Sequence, residues 1–263
     1  MKSKLIVLVL TILYLNFYYI ELSVAQTRSD VCTPKGNSVI AYITTENLDN
    51  MRAYYDNYYA NAYPNAEQII TYDGYSSTRR FNCHGYAWHI SDGGSARWIG
   101  MGSPYDNNPE YQYWQDGSYS EVSGYVPYPV KVNWASGDHS AITTTESGVL
   151  ISKWNEYPLM KHAWNDSPYG TSNLKYYKLN FQINGPSVLC NSPEAFSISN
   201  TPGGAITWTN SNNTSRVSNQ GSNPCNFSSV SNGSGWINAS FTTACGTSFI
   251  LPQKNVWAGK PEV

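Results

Sequence analysis

Residues 137–155 read Gly-Asp-His-Ser-Ala-Ile-Thr-Thr-Thr-Glu-Ser-Gly-Val-Leu-Ile-Ser-Lys-Trp-Asn. Two runs rich in apolar and β-branched residues flank Glu146-Ser147-Gly148, a pattern that predicts a hairpin: a strand opening at His139 and a return strand over 149–155. A loop centred near Ser147 sets residues 154–156 opposite His139, whereas a slipped register brings Ser152 there. Asn155 suits that place by type, because its carbonyl can accept from an imidazole N–H, and Glu156 offers the same with charge.

Upstream, Phe81-Asn-Cys-His-Gly-Tyr-Ala-Trp88 predicts a loop entering a helix, with Asn82 as the cap and Cys83 in the first turn. Free amides there favour a thiolate. A cysteine nucleophile needs a base, and His139 is the candidate, with Asn155 or Ser152 orienting its ring and the Cys83 backbone N–H helping to bind the oxyanion. The expected catalytic set is therefore Cys83, His139, Asn155 and Ser152.

The rest of the chain bounds what this chemistry serves. Its 263 residues carry 16 Lys+Arg against 18 Asp+Glu and are 41% hydrophobic; a disordered chain would be less apolar and more charged, and a nucleic-acid binder would be basic. No nucleic-acid partner is expected. Lys2 and Lys4 precede an apolar run from Leu5 to about Tyr19, followed by Ser23-Val24-Ala25, which predicts a signal peptide cleaved after Ala25 and an exported chain with no later membrane span. Export permits disulfides among the five Cys, and an odd count leaves at least one thiol free.

Composition divides the exported part near Asn180. Residues 26–180 hold all four His and most of the Trp and Tyr; Thr45-Glu46-Asn47 predicts a helix start, with Leu48, Met51, Tyr55, Tyr58 and Ala62 as its apolar face and Pro64 as its end. Residues 181–263 turn to Ser, Asn, Thr and Gly, with apolar residues alternating in 195–199, 205–209 and 235–241, the pattern of a small β-sandwich. Cys190 and Cys245, in strand-like runs at its two ends, are the expected disulfide, with Cys225, in a Ser/Asn-rich loop, as a substitute for either. His84 and His89 are five apart, not the spacing of paired helical ligands, so no metal is expected and no cofactor. His162 reads as structural, and Trp88, Trp98, Trp114 and Trp154 read as packing residues rather than a substrate groove. Asp116-Gly117-Ser118 is a turn without the spaced ligands of a calcium loop.

The pairing of FNCHGYAW with GDHSAI and a following VLISKW strand resembles the papain-like NlpC-type and CHAP-type amidases and peptidases, over roughly residues 67–178. NCHGYA is similar to the Asp-Cys-Ser-Gly pattern of the NlpC type, departing from it at Asn82 and His84. The resemblance implies an α+β papain-like domain, with the Cys helix packed on an antiparallel sheet, and a peptide or peptidoglycan-like substrate. Residues 183–190, Thr207-Trp208, Cys245-Gly246 and 256–261 resemble the PKD-like, immunoglobulin-like modules of secreted Bacteroidetes proteins, which implies an all-β Ig-like sandwich making cell-surface or glycan contacts. The expected function is a secreted cysteine hydrolase of amide bonds. The competing expectation is a non-catalytic adhesion or carbohydrate-binding protein with an idle Cys–His pair.

Overall fold

The computed structural model describes residues 26–100, 108–135, 137–170 and 173–260; the expected signal peptide, residues 1–25, lies outside them. Strands dominate the described residues, and the α-helices are short: Asp49–Ala62, Cys83–Trp88 and Gln112–Gln115, of 14, 6 and 4 residues. This overturns the expected α+β papain-like arrangement, in which a substantial Cys helix packs on a sheet. The Cys83 helix stops after six residues because the backbone leaves helical geometry at His89 (φ −133°) and turns left-handed at Gly93 (φ 91°).

The first region centres on a seven-stranded antiparallel sheet, in the order Glu67–Ile69, Leu159–Ala163, Val149–Lys153, Ser140–Thr143, Lys131–Trp134, Leu174–Leu179, Tyr119–Val122. Its middle strands, Lys131–Trp134 and Ser140–Thr143, are buried at every position, so both faces are covered. On one face Ile142 packs with Trp88, Tyr113, Tyr119 and Tyr177 beneath the Cys83 helix; on the other Val132, Trp134, Ala141 and Leu150 form a second cluster. The expected hairpin is present: Leu150 pairs with Thr143 and Ile151 with Ile142. Two smaller sheets come from residues 27–43, one of Val31–Cys32 with Ser38–Val39 and one of Thr27–Arg28 with Ala41–Ile43, the second joined by Trp98–Ile99 from beyond the Cys83 helix.

The Asp49–Ala62 helix turns a different face inward from the one expected. Leu48, Met51 and Tyr58 are exposed, whereas Arg52 is 1% exposed. Its guanidinium donates to the carbonyls of Ser77 (3.0 Å) and Tyr72 (2.6 Å) and lies over the Tyr75 ring; Tyr55 and Tyr59, on the same side, pack on Tyr157. A hydrophobic count misses this face because its buried anchor is a charged group paid in hydrogen bonds.

Residues 181–260 form a four-stranded sheet, Ile183–Asn184, Glu194–Ile198, Cys225–Ser229, Thr214–Arg216, and a five-stranded one built on the long Gly233–Thr243 strand. Phe196 and Phe227 from the first meet Trp208, Ile237 and Phe241 from the second in one core. Every pairing is antiparallel except Val188–Leu189 with Lys254–Ala258.

The disulfide differs from the expected Cys190–Cys245. Cys245 bonds Cys32 across 213 residues, tying the second region to the start of the first, and Cys83, Cys190 and Cys225 are free. The bond is part of a wider seam: Gly203 N–H donates to Pro34 O (2.9 Å) and Asn200 Nδ2 to Gly117 O (3.3 Å). Cys190 is exposed at the edge of its sheet, with no thiol placed to meet it. No helix among the described residues is long and apolar enough to cross a membrane, and a disulfide fits an oxidising compartment.

Candidate functional site

Asn82 builds the local frame around Cys83. Its Oδ1 accepts from Gly85 N (2.9 Å), capping the helix, and from Ile99 N (3.1 Å), while its Nδ2 donates to Ile99 O (2.8 Å). Gly85 is required at its position because a Cβ there would run into the carbonyl oxygen of Arg97. The helix start is thereby clamped between the small three-stranded sheet and the central one, and Cys83 opens onto a cavity of about 450 Å³. Its walls include His84, Glu110, Asp138, Asn155 and Tyr169, with Trp98 and Gly100 at the side.

Strand alternation separates His139 from His84. Ser140 points toward the helix, where its hydroxyl meets His84 Nδ1 (2.8 Å), Trp88 Nε1 (3.0 Å) and Asn133 Oδ1 (2.9 Å). His139, one residue earlier, lies with the other face. Its ring stacks on Tyr169 at 3.5 Å and meets Trp134 edge-on at 4.6 Å. It is fully buried, and neither ring nitrogen has a hydrogen-bond partner among the described residues.

The proposed orienting residues do not reach His139. Ser152 is buried on His162: Ser152 Oγ lies 2.8 Å from Nε2 and accepts from Trp154 Nε1 (3.0 Å). Asn155 does line the cavity, in a left-handed conformation (φ 57°), where its backbone carbonyl accepts from Lys153 Nζ (2.6 Å), and no hydrogen bond joins its side chain to His139 among the described residues. The expected four residues thus divide: Cys83 and Asn155 share the cavity, His139 lies beneath Tyr169, and Ser152 belongs to a separate buried cluster. Of the four Trp, Trp88 and Trp154 are fully buried and Trp114 packs on the core, as expected of packing residues, while Trp98 lines the cavity.

Burial governs the electrostatics. It pushes the Cys83 thiol up to about 12, reinforced by Glu110 and opposed by hydrogen bonds from the backbone amides of Ser140 and His84. It drives His139 well below the ordinary imidazole range, with His84 and His162 acting in the same direction, and lowers His84 to about 4 against the pull of Asp138. At neutral pH the resting site therefore holds a neutral thiol and neutral imidazoles, not the thiolate–imidazolium pair of an activated cysteine.

Three groups went unnoticed in the sequence. Glu110 is 1% exposed, its Oε1 has no hydrogen-bond partner among the described residues, and burial raises it to about 7. Lys153, fully buried, donates to the carbonyls of Asn155 and Tyr157. Tyr169 covers His139. Lys153 alone left a signal, since alternation in Val149–Lys153 sets it on the inward side with Ile151. No group of three or more His, Cys, Asp or Glu placed to hold a metal ion occurs among the described residues. Compared with known proteins, the chain matches no family model and no curated protein.

Proposed function

We propose that the chain is an exported cysteine hydrolase of amide bonds, with Cys83 as the nucleophile. The observation that carries this reading is a free thiol on the wall of a 450 Å³ cavity, where the backbone amides of His84 and Ser140 act to lower its pKa amid imidazole, carboxyl and amide side chains. Such amides stabilise negative charge on sulfur and, as a carbonyl is attacked, on neighbouring oxygen. In the reaction an imidazole takes the thiol proton, sulfur adds to the carbonyl carbon, the amine leaves with that proton, and water hydrolyses the thioester. Because thiol and imidazole rest neutral, substrate entry has to displace water and bring proton acceptor and thiol together before attack. Peptide, including cell-wall peptide, is the substrate class suggested by the FNCHGYAW and GDHSAI segments.

The expected result is cleavage of peptides, or of peptidoglycan stem peptides, by the wild type and none by Cys83→Ala, followed by mass spectrometry of the products. Equal cleavage by the two proteins would remove Cys83 from the chemistry. A second reading, glycan binding, is favoured by the cleft of about 370 Å³ lined by Tyr125, Trp164, Leu174 and Tyr176, where the exposed Trp164 ring offers a face to a sugar.

A further inference from the structure

The hydrogen bonds around Ser140 fix a tautomer. Asn133 Nδ2 donates to Trp134 O (3.0 Å), so its Oδ1 is the acceptor that takes the single hydroxyl proton of Ser140. Trp88 Nε1 can only donate. The Ser140 oxygen therefore has no proton left for His84 Nδ1, which must itself donate, and the basic lone pair of His84 lies on Nε2. Side chains at adjacent helical positions normally diverge, yet here both meet one residue: the Ser140 backbone amide acts on the Cys83 thiol, and His84 Nδ1 donates to the Ser140 hydroxyl oxygen. Behind the ring, Glu110 Oε1 is 3.9 Å from Nδ1.

We propose that His84, rather than His139, is the imidazole that moves protons in the Cys83 cavity, with Glu110 as a positioning residue that stabilises its cationic form. The inference rests on Cys83 being the nucleophile. Nε2 takes the thiol proton as sulfur bonds to the carbonyl carbon; the C–N bond breaks and Nε2–H protonates the departing amine. Water then adds to the thioester while giving a proton to Nε2, the C–S bond breaks, and that proton returns to sulfur. Net, one amide and one water yield an acid and an amine. The charged and titratable groups facing His84 are Cys83 on its own helix, Glu110 on the Pro109–Tyr111 turn, and Asp138 and His139 ahead of the Ser140–Thr143 strand. His139 is left as a packing residue between Trp134 and Tyr169.

Acetylation of Cys83 by p-nitrophenyl acetate isolates the first proton transfer, because the phenolate leaves without needing a proton. The p-nitrophenolate burst is expected to slow by about 100-fold or more in His84→Ala, to recover on adding free imidazole, to slow less in Glu110→Gln, and to stay within a few-fold in His139→Ala. A burst lost in His139→Ala and kept in His84→Ala would overturn the assignment. Independently of activity, nitrogen-15 correlation spectra should show His84 protonated on Nδ1; protonation on Nε2 alone would also overturn it. A wild type that is never acetylated at Cys83 would instead fell the hydrolase reading itself, with the tautomer still measurable.

Discussion

Replacing Cys32 and Cys245 together by serine is expected to lower the stability of the oxidised protein by about 2–5 kcal/mol, a fall in Tm of about 4–20 °C for a chain of this size. The loop closed by this bond spans 213 residues, so cutting it frees nearly the whole unfolded chain. Loop-closure entropy alone puts the effect near the upper end of that range. The bond also holds the second region against the first, alongside the Gly203–Pro34 and Asn200–Gly117 hydrogen bonds. Two separate calorimetric transitions are therefore expected in the double variant where the parent has one. An unchanged Tm in the variant would show that the seam is held by its hydrogen bonds and packing alone.

The second large effect concerns Lys153, whose ammonium burial brings down from 10.5 to about 7, opposed by Cys83 and by Glu46, Glu156 and Asp56. Between those values the unfolded chain holds a proton that the folded chain has released, so stability rises with pH. The gain is present in full above 10.5 and is lost as pH falls through the folded value. Over about pH 7 to 8.5, before unfolded thiols and tyrosines ionise, the expected rise is about 2 kcal/mol, at 1.36 kcal/mol per unit. Urea denaturation across that range should show it in the wild type and a flat line in Lys153→Met. That variant also loses the donor to the Asn155 and Tyr157 carbonyls, at a cost of about 1–3 kcal/mol each where they stay buried. A wild-type curve as flat as the variant's would mean that Lys153 is charged at pH 8.5.

Much of the local structure was legible in the sequence. The Glu146-Ser147-Gly148 turn and its flanking strands, the Asn82 cap and the end of the Tyr-rich helix at Pro64 all follow from short-range rules, because turns and caps are settled by a few neighbouring residues. The long-range choices were not. Residue order leaves open that Arg52 anchors its helix, or that Cys245 meets Cys32 instead of Cys190, since both depend on which surfaces meet after collapse. The candidate site failed at the same level. The hairpin register was legible only as alternatives, and alternation then carries His139 to the Trp134 side and Ser152 to His162. Glu110 left no mark in the sequence, because its unpartnered burial arises from the walls that close around it.

The central claim, that Cys83 is the reactive group of a built cavity, is tested most directly by mapping where p-nitrophenyl acetate leaves its acetyl group. Three free thiols compete, and exposure alone favours Cys190 over the buried Cys83 and Cys225. Peptide mass mapping should find the acetyl group on Cys83 first, turning over with time, with Cys190 acetylated slowly and without turnover. Acetylation confined to Cys190, with Cys83 unmodified, would contradict the claim.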